Sequence, residues 1–193
     1  TAVNLAAEEV AVGWEDLVIA GGVESMSRVP MGSDGGAWAM DPATAMRLGF
    51  TPQGVSIDLL ATIEGITREE LDAYAVRSHH RAAHAWEQGW FSRAIEPVVD
   101  ANGRTVLDRD ETIRPDASPE TLGALRPSFA KVGAEGGFDA VATQHYPQAE
   151  RVDHRHTPGN SSGIVDGAAL VVVGSERAGS EMGLTPRAKV VSV

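Results

Sequence analysis

The side chains able to do acid–base or metal chemistry are six histidines and a set of carboxylates, in a chain that has no cysteine. His80 and His84 stand four apart, the spacing at which two imidazoles on one helix face reach a single metal ion. No third ligand accompanies them, and both fall on a polar face, which points to solvated residues that titrate near neutrality. Asp153-His154-Arg155-His156 lies in a stretch without helical period, where an extended chain sends alternate side chains to opposite sides. The expectation there is a loop, with the rim of a substrate channel and a metal site both left open. The missing cysteine excludes a disulfide, a thiolate metal site and a cysteine nucleophile within these residues. There is no G-x-G-x-x-G after a strand, no P-loop and no nucleophile elbow, so the dinucleotide, NTP and α/β-hydrolase readings lack their signatures.

Glycines gather instead in two places. One is Gly21-Gly22-Val23-Glu24-Ser25-Met26-Ser27-Arg28; the other is Gly159-Asn160-Ser161-Ser162-Gly163-Ile164-Val165-Asp166-Gly167-Ala168-Ala169. Each lies at the end of an expected strand, where small residues let a backbone or a ligand approach closely. Tight turns with Ser and Asn bonding the backbone explain the same composition equally well.

The elements that must position these residues are legible from periodicity. Ala2 to Val12 reads as an apolar, buried helix closed by Gly13. Asp16 to Gly22 reads as a strand covered on both faces. From Arg28 to Glu64 no period is sustained, and loops with short helices are expected. Thr67 and Glu70 form a T-x-x-E capping box that starts a helix running to Gly89. Its apolar face is Leu71, Tyr74, Ala75, Ser78, Ala82, Ala85 and Trp86, with Arg77, His80, Arg81 and His84 largely opposite. Asn102-Gly103 predicts a hairpin between Ala94–Val99 and Arg104–Leu107, since both residues tolerate positive φ. Ser118-Pro119 starts another helix. Lys131 to Gly159 carries no period and is long for a loop, which suggests a functional or mobile insertion. Ala168–Val173 reads as a second buried strand, Ser175–Met182 as a helix capped by Gly183, and Ala188–Val193 as a third strand. The fold class is α/β: regular elements at both ends flank a large irregular insertion.

The chain has 193 residues, 42% hydrophobic and 22% charged, enough to bury the core of one domain or of one domain and a smaller companion. Its longest purely apolar run, Ala168–Val173, falls far short of the roughly 18 residues a membrane span requires. A net charge of -11 argues against nucleic acid or an anionic membrane as partner. With no signal-like segment at the start, a cytoplasmic location is the default. The first residue is Thr1, and the residues after it read as the interior of an element, so the expectation is a chain cut at its front.

The wording IAGGVESMSRVPM and GNSSGIVDGAA, with TREELDAY and LRPSF between them in order, resembles the thiolase family of acetyl-CoA acyltransferases. The resemblance covers essentially the whole chain. It implies a layered α/β core with a large loop domain inserted in the first core domain. On this resemblance residues 1–28 and 159–186 belong to the N-terminal core domain, 29–158 to the loop domain, and 187–193 to the start of the C-terminal core domain. The implied chemistry is Claisen condensation of acyl-CoA, or thiolysis of a 3-ketoacyl-CoA, through a covalent acyl-cysteine. Splitting acyl transfer into two steps is the advantage of such an intermediate. The resemblance implies coenzyme A as substrate, no cofactor, no metal, and a homodimer or homotetramer. The family's nucleophile precedes the position of Thr1 and its other catalytic residues lie beyond the chain, so no catalytic residue carries over and the chain alone is expected to be inactive. A thiolase-like acyl-CoA or lipid carrier without catalysis is the alternative.

By the same resemblance, part of the CoA cradle carries over. Ser162 matches a serine that hydrogen-bonds the pantetheine arm, and Arg114 an arginine near the CoA nucleotide. Phe129 matches an aromatic residue lining the pantetheine channel, while Thr121 and Pro158 match by spacing. Each has a structural alternative: Ser162 capping the turn, Arg114 pairing with Glu111 or Asp116 on the surface, and Phe129 filling the loop-domain core. The family's His-Met pair is missing between Phe50 and Glu64. Ala130–Thr157 also exceeds its length in short-chain biosynthetic thiolases, which predicts a substrate entrance shaped for a longer or bulkier acyl group.

Overall fold

The structure, a computed structural model, describes residues 1–192, with the backbone alone at position 39. In chain order its elements are α1 (Ala2–Ala11), β1 (Leu17–Glu24), α2 (Ala37–Met40), α3 (Pro42–Leu48), α4 (Gln53–Ile63), α5 (Arg68–Glu87), β2 (Val98–Val99), β3 (Thr105–Leu107), α6 (Pro119–Gly123), α7 (Ala130–Glu135), α8 (Phe138–His145), β4 (Gly167–Gly174) and α9 (Glu176–Glu181). They divide into two units, residues 1–34 with 164–193, and residues 35–163.

In the first unit β1 and β4 pair antiparallel from Leu17↔Gly174 to Glu24↔Gly167. The two glycine clusters thus meet across one ladder, and Asp166 ties them: it accepts from the Ser27 N–H at 2.8 Å and the Ser27 hydroxyl at 2.6 Å. Helix α1 packs on this ribbon through Ala6, its one buried residue. The expected burial of α1, β1 and β4 is not seen. Only Ala20 of the two strands is buried, while Ile19, Val23, Leu170 and Val172 are exposed. The physical reason is coverage: one helix spans a single stripe of a two-stranded ribbon, and no second layer lies on the other face among the described residues. Residues 185–192 form no strand, no ladder partner standing beside them among the described residues, and Val193 lies outside the described residues. The Ser175–Met182 helix is present as α9, with the Ser175 hydroxyl accepting from the Ala178 N–H at 3.2 Å.

The second unit is helical. The region expected as loops with short helices contains α2, α3 and α4, the last eleven residues long with Val55, Leu59 and Ala61 buried. The stretch expected as aperiodic insertion contains α7 and α8, and its α8 packs on α4, with Leu59, Ile63, Ala142, Ala149 and Val152 forming a hydrophobic cluster. Pattern reading missed α7 and α8 because, at six and eight residues, they are too short to sustain an apolar period. Helix α5 begins as expected: the Glu70 N–H donates to the Thr67 hydroxyl at 3.2 Å and the Thr67 N–H to the Glu70 carboxylate at 2.8 Å. Its buried face differs from expectation. Tyr74 is 68% exposed, under the Arg77 guanidinium, whereas Asp72 is 3% exposed. The hairpin forms as the two short exposed strands β2 and β3. Gly103 takes φ +78°, but Asn102 does not adopt positive φ; Asp100 closes the turn by accepting from the N–H groups of Asn102 and Arg104.

Candidate functional site

The chemistry-bearing side chains of the second unit converge on two buried carboxylates. Asp58, fully buried on α4, accepts from the Arg155 N–H at 2.9 Å and the His156 N–H at 3.0 Å. The His156 ring donates from Nδ1 to the same oxygen at 2.7 Å, and His154 Nδ1 meets the other at 2.8 Å. Both imidazoles therefore face one residue, where a regular extended strand would have sent them to opposite sides. The segment is held along α4 by a relay as well: the Thr62 hydroxyl donates to the Asp58 carbonyl at 2.7 Å and accepts from the Asp153 N–H at 2.9 Å.

His154 extends the network outward, its Nε2 standing 3.1 Å from Asp139 on α8. An ionised carboxylate only accepts, so an imidazole between two of them is satisfied at both ends when it carries two protons. Gly133 on α7 lies against this bridge; a Cβ there would collide with Asp139 and with His154. Burial raises the Asp58 carboxyl, but the Arg155 N–H, the His156 ring and N–H and the His154 ring outweigh it and hold Asp58 below its ordinary range. For His154 burial acts downward, and the bonds to Asp58 and Asp139 with their charges raise it above the ordinary imidazole value.

Asp72 on α5 is the second node. It accepts from Arg68 Nε at 2.8 Å and from the Asn160 side-chain amide at 2.8 Å. Arg68 also donates to the Leu122 and Leu125 carbonyls, which fixes the end of α6. Asn160 in turn accepts from the Thr157 N–H at 2.8 Å, so the turn 157–160 is closed by Asn160 and Thr157. Farther along α5, His79 accepts from the Arg114 N–H at 3.1 Å and His80 bonds the Ala117 carbonyl at 3.0 Å. These contacts pin the loop 114–117 about 12 Å along the helix axis from Asp72.

Ser162 follows that turn and is exposed, its hydroxyl in no hydrogen bond among the described residues. Pro158 is exposed within the turn. Arg114 is exposed and forms no ion pair with Glu111 or Asp116. Phe129 is half-buried, its ring lying directly on Gly54 of α4, and the adjacent Ser128 N–H donates to the His156 carbonyl at 2.8 Å. The Thr121 hydroxyl is occupied in capping α6, donating to the Ser118 carbonyl at 2.9 Å and accepting from the Ser118 N–H at 3.0 Å. Ser162, Pro158, Thr121 and Phe129 thus cluster around the 154–162 segment and α6, and Arg114 sits apart on the loop held by His79 and His80. His84 is exposed, and no group of three ligating side chains has metal-site geometry among the described residues.

Sequence reading passed over Asp58 and Asp72, whereas Asn160 closes its turn as the reading of Ser and Asn side chains bonding the backbone anticipated. A signal existed for the first: Asp58 interrupts the apolar run Val55–Ile63, and a carboxylate in such a run is buried only with partners. Arg68 and Asp72 stand at the i,i+4 spacing of a helical ion pair. Both carboxylates are too deeply buried to touch a ligand, so the chemistry they perform is anchoring.

The family model described as thiolase, N-terminal domain, matches residues 1–140. A 3-ketoacyl-CoA thiolase of Saccharophagus degradans is 34% identical over all of this chain and 45% of its own length. An acetyl-CoA acetyltransferase of Thiocystis violacea is 36% identical over 99% of this chain and 47% of its own length. Among solved structures, the dimeric peroxisomal thiolase of Saccharomyces cerevisiae superposes with a TM-score of 0.68 at 26% identity, over 95% of this chain and 42% of that one. The chain spans about half the length of the curated relatives it matches. Its α/β architecture is thiolase-like, and the chain belongs to the thiolase family.

Proposed function

We propose that the protein carrying this chain is a thiolase-type acyltransferase, and that this chain supplies part of its CoA cradle. The observation that carries the reading is the agreement of relatives with essentially the whole chain. In this reading residues 1–28 and 159–186 belong to the N-terminal core domain, 29–158 to the loop domain and 187–193 to the start of the C-terminal core domain. The protein works as a homodimer or homotetramer in the cytoplasm on acyl-CoA, without a cofactor.

The chain has no cysteine, so the acyl-accepting thiolate belongs to another part of the protein. What these residues do is bind and orient. The free Ser162 hydroxyl can donate to and accept from an amide of the pantetheine arm. The Arg114 guanidinium, unpaired among the described residues, offers a fixed cation to the nucleotide phosphates. Phe129 and Pro158 give the arm an apolar wall. Assay of the full-length protein with a panel of short- to long-chain 3-ketoacyl-CoA substrates tests this reading. CoA-dependent thiolysis of at least one is expected; none with any substrate, in a folded protein that binds CoA, leaves the carrier reading.

A further inference from the structure

We propose that Asp58 is a positioning residue for CoA: by anchoring the 154–157 segment it sets the Ser162 turn, and with His154 and Asp139 it makes CoA affinity depend on pH. The inference rests on the CoA-cradle reading above. Its grounds are geometric.

The segment leading into the Ser162 turn is attached to two helix carboxylates, beside the Thr62 hydroxyl on the Asp153 N–H, the Ala61 and Ile66 carbonyls on the Arg155 guanidinium and the Ser128 N–H on the His156 carbonyl. Asp58 holds two successive N–H groups and two rings, and Asp72 holds Asn160, four residues after His156. Between them only Thr157, Pro158 and Gly159 intervene, and Thr157 is fully buried. The backbone that carries Ser162 is therefore fixed from outside the ligand site, by a group the ligand never touches. A carboxylate with four donors is also hard to replace, because losing it strands all four in a buried place.

The pH dependence follows from what faces His154. Asp58 approaches from α4, Asp139 from α8, and the uncharged Gly133 from α7. On its own segment, Asp153 is engaged by Arg151 and Arg155, the Arg155 guanidinium turns to Asp153 and to the Ala61 and Ile66 carbonyls, and His156 is bonded to Asp58. No cation competes for either carboxylate oxygen that His154 uses among the described residues. When the ring loses one proton, one nitrogen turns a lone pair toward a carboxylate, and either the α4 or the α8 anchor is lost. Helices α7 and α8, in the stretch expected as a functional or mobile insertion, thus buttress the turn.

The experiment measures the CoA dissociation constant of the full-length protein from pH 6 to 9 for the wild type, Asp58→Asn and Asp58→Leu, with folding checked by circular dichroism and thermal melting. In Asp58→Asn the side-chain oxygen still accepts from the backbone, while its amide donates to a neutral His154 whose Nε2 donates to Asp139. The wild-type constant is expected to rise about tenfold across the loss of the His154 proton, the size of one charged hydrogen bond. Asp58→Asn should remove most of that rise, the ligand's own titration being common to both proteins. Asp58→Leu should bind at least about tenfold more weakly at every pH.

An Asp58→Asn profile that tracks the wild type overturns the pH coupling. A folded Asp58→Leu with wild-type affinity overturns the positioning role, and if that variant does not fold the Asp58→Asn profile decides alone. A wild-type protein that binds no CoA at any pH overturns the CoA reading itself and the inference with it, and so is distinguishable from either failure.

Discussion

The two units of this chain treat their most telling residues in opposite ways. The first unit leaves apolar residues in water: Leu170 of β4 is 75% exposed, and Ile19 and Val23 of β1 are exposed as well. The second unit buries charge: Asp58 and Asp72 are nearly inaccessible, and each has partners for both oxygens. A hydrophobic run states a requirement for cover, which other parts of a structure must meet. A buried carboxylate must be satisfied where it sits, or it will not stay charged. The second unit therefore holds the partners of Asp58 and Asp72 within itself, while the strands of the first have no second layer among the described residues.

That contrast can be broken most sharply at Asp58. Asp58→Ala strips four donors of their acceptor at once and is expected to destabilise the second unit by about 3–5 kcal/mol. Urea unfolding followed by Trp fluorescence measures it; a loss below about 1 kcal/mol would show that water replaces the carboxylate and that the network is no anchor. Gly133→Ala comes next, at about 1–3 kcal/mol, because the new methyl group meets Asp139 and His154 across a helix contact. An unchanged melting temperature would show that α7 moves away freely. Thr67→Ala removes one half of the α5 cap for about 1 kcal/mol, again read by urea titration, and a neutral result would mean the cap adds nothing to a helix held by its neighbours.

Proton linkage sharpens the comparison by degrees. The Asp58 contribution is present above its unfolded value near 3.8 and is lost as pH falls through its lowered folded value. The His154 contribution is complete below 6.5 and is lost as pH rises through its raised folded value. Stability of the second unit should be fullest between these limits and decline on the alkaline side. In His154→Gln that alkaline decline should vanish; its persistence would assign it to another group. The smallest effect belongs to the first unit. Leu170→Ser, on an open strand face, should change stability by no more than about 0.5 kcal/mol in this chain. A large loss on calorimetry would mean that the face is covered after all.

Which parts of this protein were legible follows the same division. The Thr67/Glu70 box, the Ser118-Pro119 helix start and the β1 and β4 runs are local signals, written in a few adjacent residues, and each gave an element in place. Helices α7 and α8 were not legible, since their periods are short, and α4 was expected only as one of several short helices without bounds, because Asp58 interrupts its apolar pattern. The candidate site was read as separate positions. Ser162, Arg114, Phe129, Thr121 and Pro158 came from motif likeness, and neither spacing nor composition showed that Thr121 spends its hydroxyl on a helix cap while Ser162 keeps its own free.

The sequence by itself determined the α/β class, the family, the two glycine clusters and the absence of a cysteine, because all of these reside in residue order. Only the tertiary structure decided that Asp58 and the histidines 96 and 98 positions later form one buried cluster. It also showed that the unpatterned stretch is a pair of helices buttressing that cluster, and that the strands lack a second layer among the described residues. Hydrogen bonds between distant residues depend on where the chain returns, and no local period encodes that return.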